Sequence, residues 1–192
     1  MRIGYLGPAG TYTQQAVELF TARLGRHNIE KVPLGSIDEV FDAVDSKTVE
    51  GGVVPFRNSI AGDYGETIRR MKERETFTRK YSHDLDICLA LGIHPDASRS
   101  DITEIRSKDT ALRECELYLG ANYPSAERIA VESTAKAMRD IHDGRLLNVA
   151  AVGSIMGMTM YGLQILDSNI GDKQDNVTTF IYVVRKKGIS RR

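Results

Sequence analysis

The chain has 192 residues, 41% of them hydrophobic and 27% charged, and its 26 Lys plus Arg balance 26 Asp plus Glu for a formal net charge of +0. That is enough chain for one large domain or two small lobes, and the composition excludes disordered and collagen-like classes and general polyanion or nucleic-acid binders. No apolar run approaches the ~20 residues that cross a bilayer. The two cysteines, Cys88 and Cys115, cannot form a disulfide framework, and Met1–Leu6 carries no secretory apolar region, so a reducing cytoplasm is the expected setting.

The expected elements alternate β-like and helical patterns. A strand at Arg2–Leu6 ends at Gly7-Pro8-Ala9-Gly10, and Thr11 or Thr13 caps a helix burying Ala16, Val17, Phe20 and Leu24. Val32 and Leu34 suit a second strand. Ser36 and Glu39 form a capping box before a helix with Val40, Phe41 and Val44. Gly52–Pro55 reads as a buried strand stopped by proline, followed by a polar loop and a short helix near Glu66–Lys72. Leu85–Leu91 and Ile102–Ile105 read as strands. Thr110 opens a helix carrying Ala111, Leu112, Cys115 and Leu119. Arg128–Val131 is a strand, and Ser133 or Thr134 caps a helix with Ala137, Met138 and Ile141. Val149–Val152 is a short buried strand, Ser154–Tyr161 a helix ended by Gly162, and Val177–Val184 the last strand. This alternation implies an α/β fold with mainly parallel sheets, as one sheet or as two lobes, with ligands at strand carboxyl ends or between lobes.

Several chemistries lack their signatures. Gly4-x-x-Gly7-x-x-Gly10 has neither dinucleotide nor Walker spacing; it is equally an anion-holding turn or a plain strand–helix turn. His27, His83, His94 and His142 are scattered, and Asp172, Asp175 and Asn176 do not match a calcium loop, so no metal is expected. There is no G-x-S-x-G nucleophile. Arg57, Asn58 and Ser59 form a polar cluster after a buried strand, where an Arg can clamp a carboxylate or simply belong to a capped turn.

Seven segments carry a resemblance in order along almost the whole chain: Leu6-Gly7-Pro8-Ala9-Gly10-Thr11-Tyr12-Thr13; Val53-Val54-Pro55-Phe56-Arg57-Asn58-Ser59 with Gly62; Ser107-Lys108-Asp109-Thr110-Ala111-Leu112 with Cys115; Glu132-Ser133-Thr134-Ala135-Lys136-Ala137; Ala150-Ala151-Val152-Gly153-Ser154 through Tyr161-Gly162-Leu163; Asn169-Ile170; and Asn176-Val177-Thr178. Together they resemble the catalytic domain of prephenate dehydratase. The resemblance implies two α/β lobes around a cleft, similar to type II periplasmic binding proteins, with 1–77 and 176–192 in one lobe and 78–175 in the other. The family's regulatory ACT domain would follow the last strand, so the chain is expected to lack it and any phenylalanine feedback through it.

The family reaction converts prephenate to phenylpyruvate with loss of CO2 and water, and aromatisation drives it without a cofactor. The resemblance assigns Thr178 the acid role. A threonine hydroxyl ionises at very high pH, so it acts as a hydrogen-bond donor or relay. Substrate-binding positions carried over are Thr11, Arg57, Asn58, Ser59, Ser107, Thr110, Ser133, Thr134, Asn176, Thr179 and Phe180. The implied partners are a small-molecule substrate and a second copy in a homodimer, with no metal, membrane or nucleic acid.

The sequence departs from the family at polar positions. Arg57 stands for Glu, Thr179 for Arg, Lys108-Asp109-Thr110 for His-Pro-Gln, Glu114 for Gln and Leu89 for His. If 57 and 179 both face the cleft, Arg57 replaces the missing guanidinium. Three readings stay open: a divergent dehydratase, a prephenate decarboxylase that leaves the ring non-aromatic, and a binding module without catalysis.

Overall fold

The computed structural model describes residues 1–25, 28–73, 76–173 and 175–186. His27, Gln174 of the polar loop and the lobe-one residues 187–192 lie outside them. The chain divides into two compact α/β units. One holds residues 1–8, 12–86 and the chain from 176; the other holds 9–11 and 87–175. The boundary expected at 77/78 falls instead at 86/87, because a strand after residue 76 pairs into the first sheet.

The first unit is built on β1 (Arg2–Leu6), β2 (Glu30–Leu34), β3 (Gly51–Asn58), β4 (Gly62–Asp63), β5 (Phe77–Asp86) and β11 (Val177–Arg185). Their order is β2-β1-β3-β11-β5, with β4 pairing β3. β1 pairs parallel with β2 and β3, while β11 runs antiparallel to both β3 and β5. The sheet is therefore mixed rather than mainly parallel. Helices α2 (Ile37–Asp45) and α3 (Gly65–Glu73) belong with one face, where Ile37, Val40, Phe41 and Val44 pack with Val54, Ile181 and Val183. Helix α1 (Tyr12–Leu24) covers the other, its Phe20 ring 6.2 Å from Tyr182 and 6.4 Å from His83.

Local signals explain much of this. Ser36 accepts from the Glu39 N–H at 3.1 Å, as a cap should. The return bond differs from the expected capping box: the Glu39 carboxylate takes the Gly35 N–H at 3.0 Å. Pro55 does not stop β3, which continues to Asn58. The ladder shifts register beside it, pairing Phe180 with Pro55 but Thr179 with Arg57, and such a bulge tolerates a residue without an N–H. The Pro55 carbonyl instead accepts the buried Thr67 hydroxyl at 2.7 Å, which fixes α3 to the sheet.

The second unit holds β6 (Leu89–Ile93), β7 (Glu104–Ser107), β8 (Glu127–Ala130), β9 (Val149–Ser154) and β10 (Gln164–Ser168), in the order β10-β6-β9-β7-β8. β7 pairs parallel with β8 and β9, and β6 antiparallel with β9 and β10. The strand expected at Leu85–Leu91 is in fact the end of β5 and the start of β6. The helix expected from Thr110 is two short ones, α4 (Asp109–Arg113) and α5 (Glu116–Asn122), separated at Cys115. The Asp172 carboxylate accepts the Leu117 and Tyr118 N–H groups at 3.0 and 3.2 Å, satisfying the new helix start. Helix α6 (Thr134–Gly144) buries Ala135, Ala137, Met138 and Ile141 against Val149 and Ala151 of β9 and Met158 of α7 (Ile155–Met160). No helix among the described residues is long and apolar enough to cross a membrane.

Candidate active site

In the first unit the candidate residues gather where β3 ends and β11 begins. Because β3 runs parallel to β1 and β11 runs antiparallel to β3, Asn58 and Thr178 lie at the carboxyl edge of the parallel strands. Ligands bind at that edge in open α/β sheets. Asn58 and Thr178 are direct cross-strand partners, so their side chains share a face. Asn58 Nδ2 donates to Thr178 Oγ1 at 2.9 Å and to Asn176 Oδ1 at 2.7 Å. Its Oδ1 accepts the Ile60 and Ala61 N–H groups at 2.9 and 2.7 Å. Thr178 is 3% exposed, and Asn58 and Asn176 are 6% exposed each. Ser59 closes the corner: its N–H donates to the Val177 carbonyl at 2.8 Å, and its Oγ accepts the Val177 N–H at 2.9 Å. Phe180 is buried two residues along on the Thr178 face.

Arg57 and Thr179 are also cross-strand partners, one residue off, and therefore share the opposite face. The Thr179 hydroxyl donates to Asp84 of β5 at 2.6 Å. The Arg57 side chain is 69% exposed, with Nε 3.7 Å from Asp63 of β4. Arg57 is thus the cross-strand neighbour of Thr179, and the sheet separates it from the Thr178 hydroxyl. Asp84 was not legible as part of this row, because its strand reads as polar chain.

In the second unit, Ser107 and Ser154 end the parallel strands β7 and β9, and Leu89 opens β6 opposite Ser154. Ser107 is fully buried and donates to the Val152 carbonyl at 2.7 Å, which ties β7 to β9. Ser133 caps α6, accepting the Lys136 N–H at 3.0 Å, and Thr134 opens that helix. Thr110 is exposed on α4. Thr11 is half-buried in the segment 9–11, which docks on this unit: Ser154 Oγ donates to the Gly10 carbonyl at 2.9 Å while accepting the Gly157 N–H at 3.0 Å. Gly10 adopts φ +85 and Gly157 lies against it; a Cβ on Gly157 would sit 2.8 Å from the Gly10 oxygen. Burial pushes the Cys115 thiol up to about 12, with Asp172 and Glu114 adding to it, so it is no nucleophile. No cluster of three or more metal-ligating side chains occurs among the described residues.

Two α/β units, each with its polar candidates at the carboxyl edge of its parallel strands, define the type II periplasmic-binding-protein-like class. A periplasmic substrate-binding protein of an ABC transporter from Coxiella burnetii shares this fold, at TM-score 0.51 and 14% identity over 97% of this chain and 85% of that one. A prephenate dehydratase from Arthrobacter aurescens, solved in complex with L-Phe, superposes at TM-score 0.86 with 25% identity, covering 100% of this chain and 63% of that chain. The bifunctional chorismate mutase/prephenate dehydratase of Stutzerimonas stutzeri is 35% identical over 191 residues, 95% of this chain and 48% of that protein. Residues 3–188 match the family model described as Prephenate dehydratase, and the chain belongs to that family. It spans about half the length of these bifunctional relatives.

Proposed function

We propose that this chain catalyses the decarboxylating dehydration of prephenate to phenylpyruvate. The prephenate dianion takes up one proton and gives the phenylpyruvate anion, CO2 and water. The electron pair of the bond to the ring carboxylate enters the ring as the 4-hydroxyl departs with that proton. The protein's task is to hold the dianion and stabilise the departing oxygen. Thr178 is the group that does the second, by hydrogen bonding to the leaving hydroxyl and relaying a proton from solvent.

One observation carries this reading: Thr178 Oγ1 is buried in a hydrogen-bonded corner with Asn58, at the carboxyl edge where α/β sheets bind ligands. Arg57 is left out of the chemistry because its side chain lies on the other face. The carboxylates are then held by uncharged hydroxyl and N–H donors. The chain acts in a reducing cytoplasm as a homodimer, as family membership and its cysteine usage lead one to expect.

The test is incubation of the purified protein with prephenate, followed by the ultraviolet spectrum and mass of the product. Phenylpyruvate is expected. A dihydro-hydroxyphenylpyruvate, or binding of substrate without turnover, overturns the proposal.

A further inference from the structure

We propose that Asn58 is a positioning residue that sets the direction of the Thr178 O–H bond. This rests on the reading of Thr178 as the donor to the leaving oxygen, and deepens it.

The argument is one of donor and acceptor arithmetic. A side-chain amide has one accepting oxygen and one donating NH2 group. Backbone N–H groups can only donate, and two of them, from Ile60 and Ala61, point at Asn58 Oδ1 at 2.9 and 2.7 Å. The amide therefore cannot be flipped. Its NH2 faces the Asn176 Oδ1 at 2.7 Å and Thr178 Oγ1 at 2.9 Å, and an NH2 group cannot accept. Thr178 Oγ1 must then be the acceptor in this bond, and its own proton must point elsewhere. No described residue accepts that proton: the one bond made by the Thr178 hydroxyl is the one it receives. The corner thus delivers a buried hydroxyl whose proton is held outward for an incoming oxygen. A hydroxyl that accepts one hydrogen bond also becomes a stronger donor in the next. Among the described residues no ionisable side chain bonds Asn58 or Thr178; Arg57, Asp63 and Asp84 occupy the row on the opposite face.

The test is Asn58→Asp. The substitution keeps an oxygen for Ile60 and Ala61 but replaces the donor with a second acceptor. At neutral pH the introduced carboxylate turns the Thr178 proton inward. The expected result is a fall in kcat of about 10²-fold or more, the range for loss of a general-acid contact, with KM within about threefold. As pH falls through the titration of the introduced carboxyl, its protonated form regains a donor, and the ratio of native to variant kcat shrinks. Asn58→Ala leaves the hydroxyl free to rotate, so it loses less than the Asp variant at pH 7 and shows no such shrinking ratio. Equal losses for the Asp and Ala variants, with pH profiles parallel to the native one, would indicate a merely structural residue and overturn the inference. Neutron diffraction on deuterated native crystals reads the same point without any variant: the Thr178 deuterium is expected away from Asn58, and one found between the two refutes the proposal. If Thr178→Val retains native kcat, the reading of Thr178 fails by itself, while the neutron result still decides the orientation.

Discussion

Thr178→Val separates the chemistry of this residue from its contribution to the fold. Valine keeps the β-branched shape, so strand preference and packing volume change little. What is lost is one buried hydrogen bond, from Asn58 Nδ2 at 2.9 Å. Leaving a buried donor unmet costs about 1–3 kcal/mol. Here the same NH2 also lies 3.3 Å from the Val177 carbonyl, which takes up part of the loss. The net destabilisation is then about 1 kcal/mol, a fall in melting temperature of about 2–4 °C for a chain of this size. Removal of a general-acid contact costs about 10²–10⁴ in rate, or roughly 3–5 kcal/mol of transition-state stabilisation. The kinetic effect should therefore exceed the structural one severalfold. Phenylpyruvate formation gives kcat and KM, and thermal unfolding of the same samples gives stability. Thr178→Ser keeps a hydroxyl and should remain within about tenfold of native turnover. A folded Thr178→Val protein with kcat within about threefold of native refutes the assignment, and so does a serine variant as inactive as the valine one.

Other expectations follow from the same geometry. Arg57→Ala should change stability by less than about 0.5 kcal/mol, because its pair with Asp63 is long and exposed. Steady-state kinetics should move by less than about threefold, and a rise in KM of about tenfold would place the guanidinium on substrate. Ser154→Ala removes the cap of α7 and the bond to Gly10; at about 1 kcal/mol each, denaturant unfolding should show a loss of about 2 kcal/mol. A loss under about 0.5 kcal/mol would mean that residues 9–11 are held by other contacts. Cys115 keeps its proton in the folded chain up to about 12, against 9.0 for an unperturbed thiol. Its contribution is therefore complete below about pH 9 and declines as pH rises from there towards 12, since only the unfolded chain gives up the proton. Cys115→Ala should flatten the alkaline fall in stability relative to native protein, and at about pH 8 a thiol reagent should label exposed Cys88 long before Cys115.

The strand–helix alternation was legible in the sequence wherever one face of an element is apolar and its end carries a cap. α2 with Ser36, α6 with Ser133 and α7 between Ser154 and Gly162 are cases in point. β5 was not legible. It is an edge strand whose exposed Arg79, Lys80, Asp84 and Asp86 give no apolar run, and only pairing to β11 makes it a strand. The same omission hid Asp84 and moved the unit boundary.

Sequence alone singled out the residues that meet at this corner: the ordered segments that carry Asn58, Ser59, Asn176 and Thr178 are local in the chain. Whether they meet is a matter of register. Plain alternation from Val53 and Val54 would send Asn58 to the α2 face, away from Thr178. Across β3 and β11, Val53 pairs with Tyr182 and Pro55 with Phe180, then Phe56 is skipped, so that Arg57 meets Thr179 and Asn58 meets Thr178. That single extra residue exchanges the faces of 57 and 58. It puts the amide against the hydroxyl and the guanidinium on the far side, because side-chain direction in a sheet follows pairing with a partner strand distant in the chain.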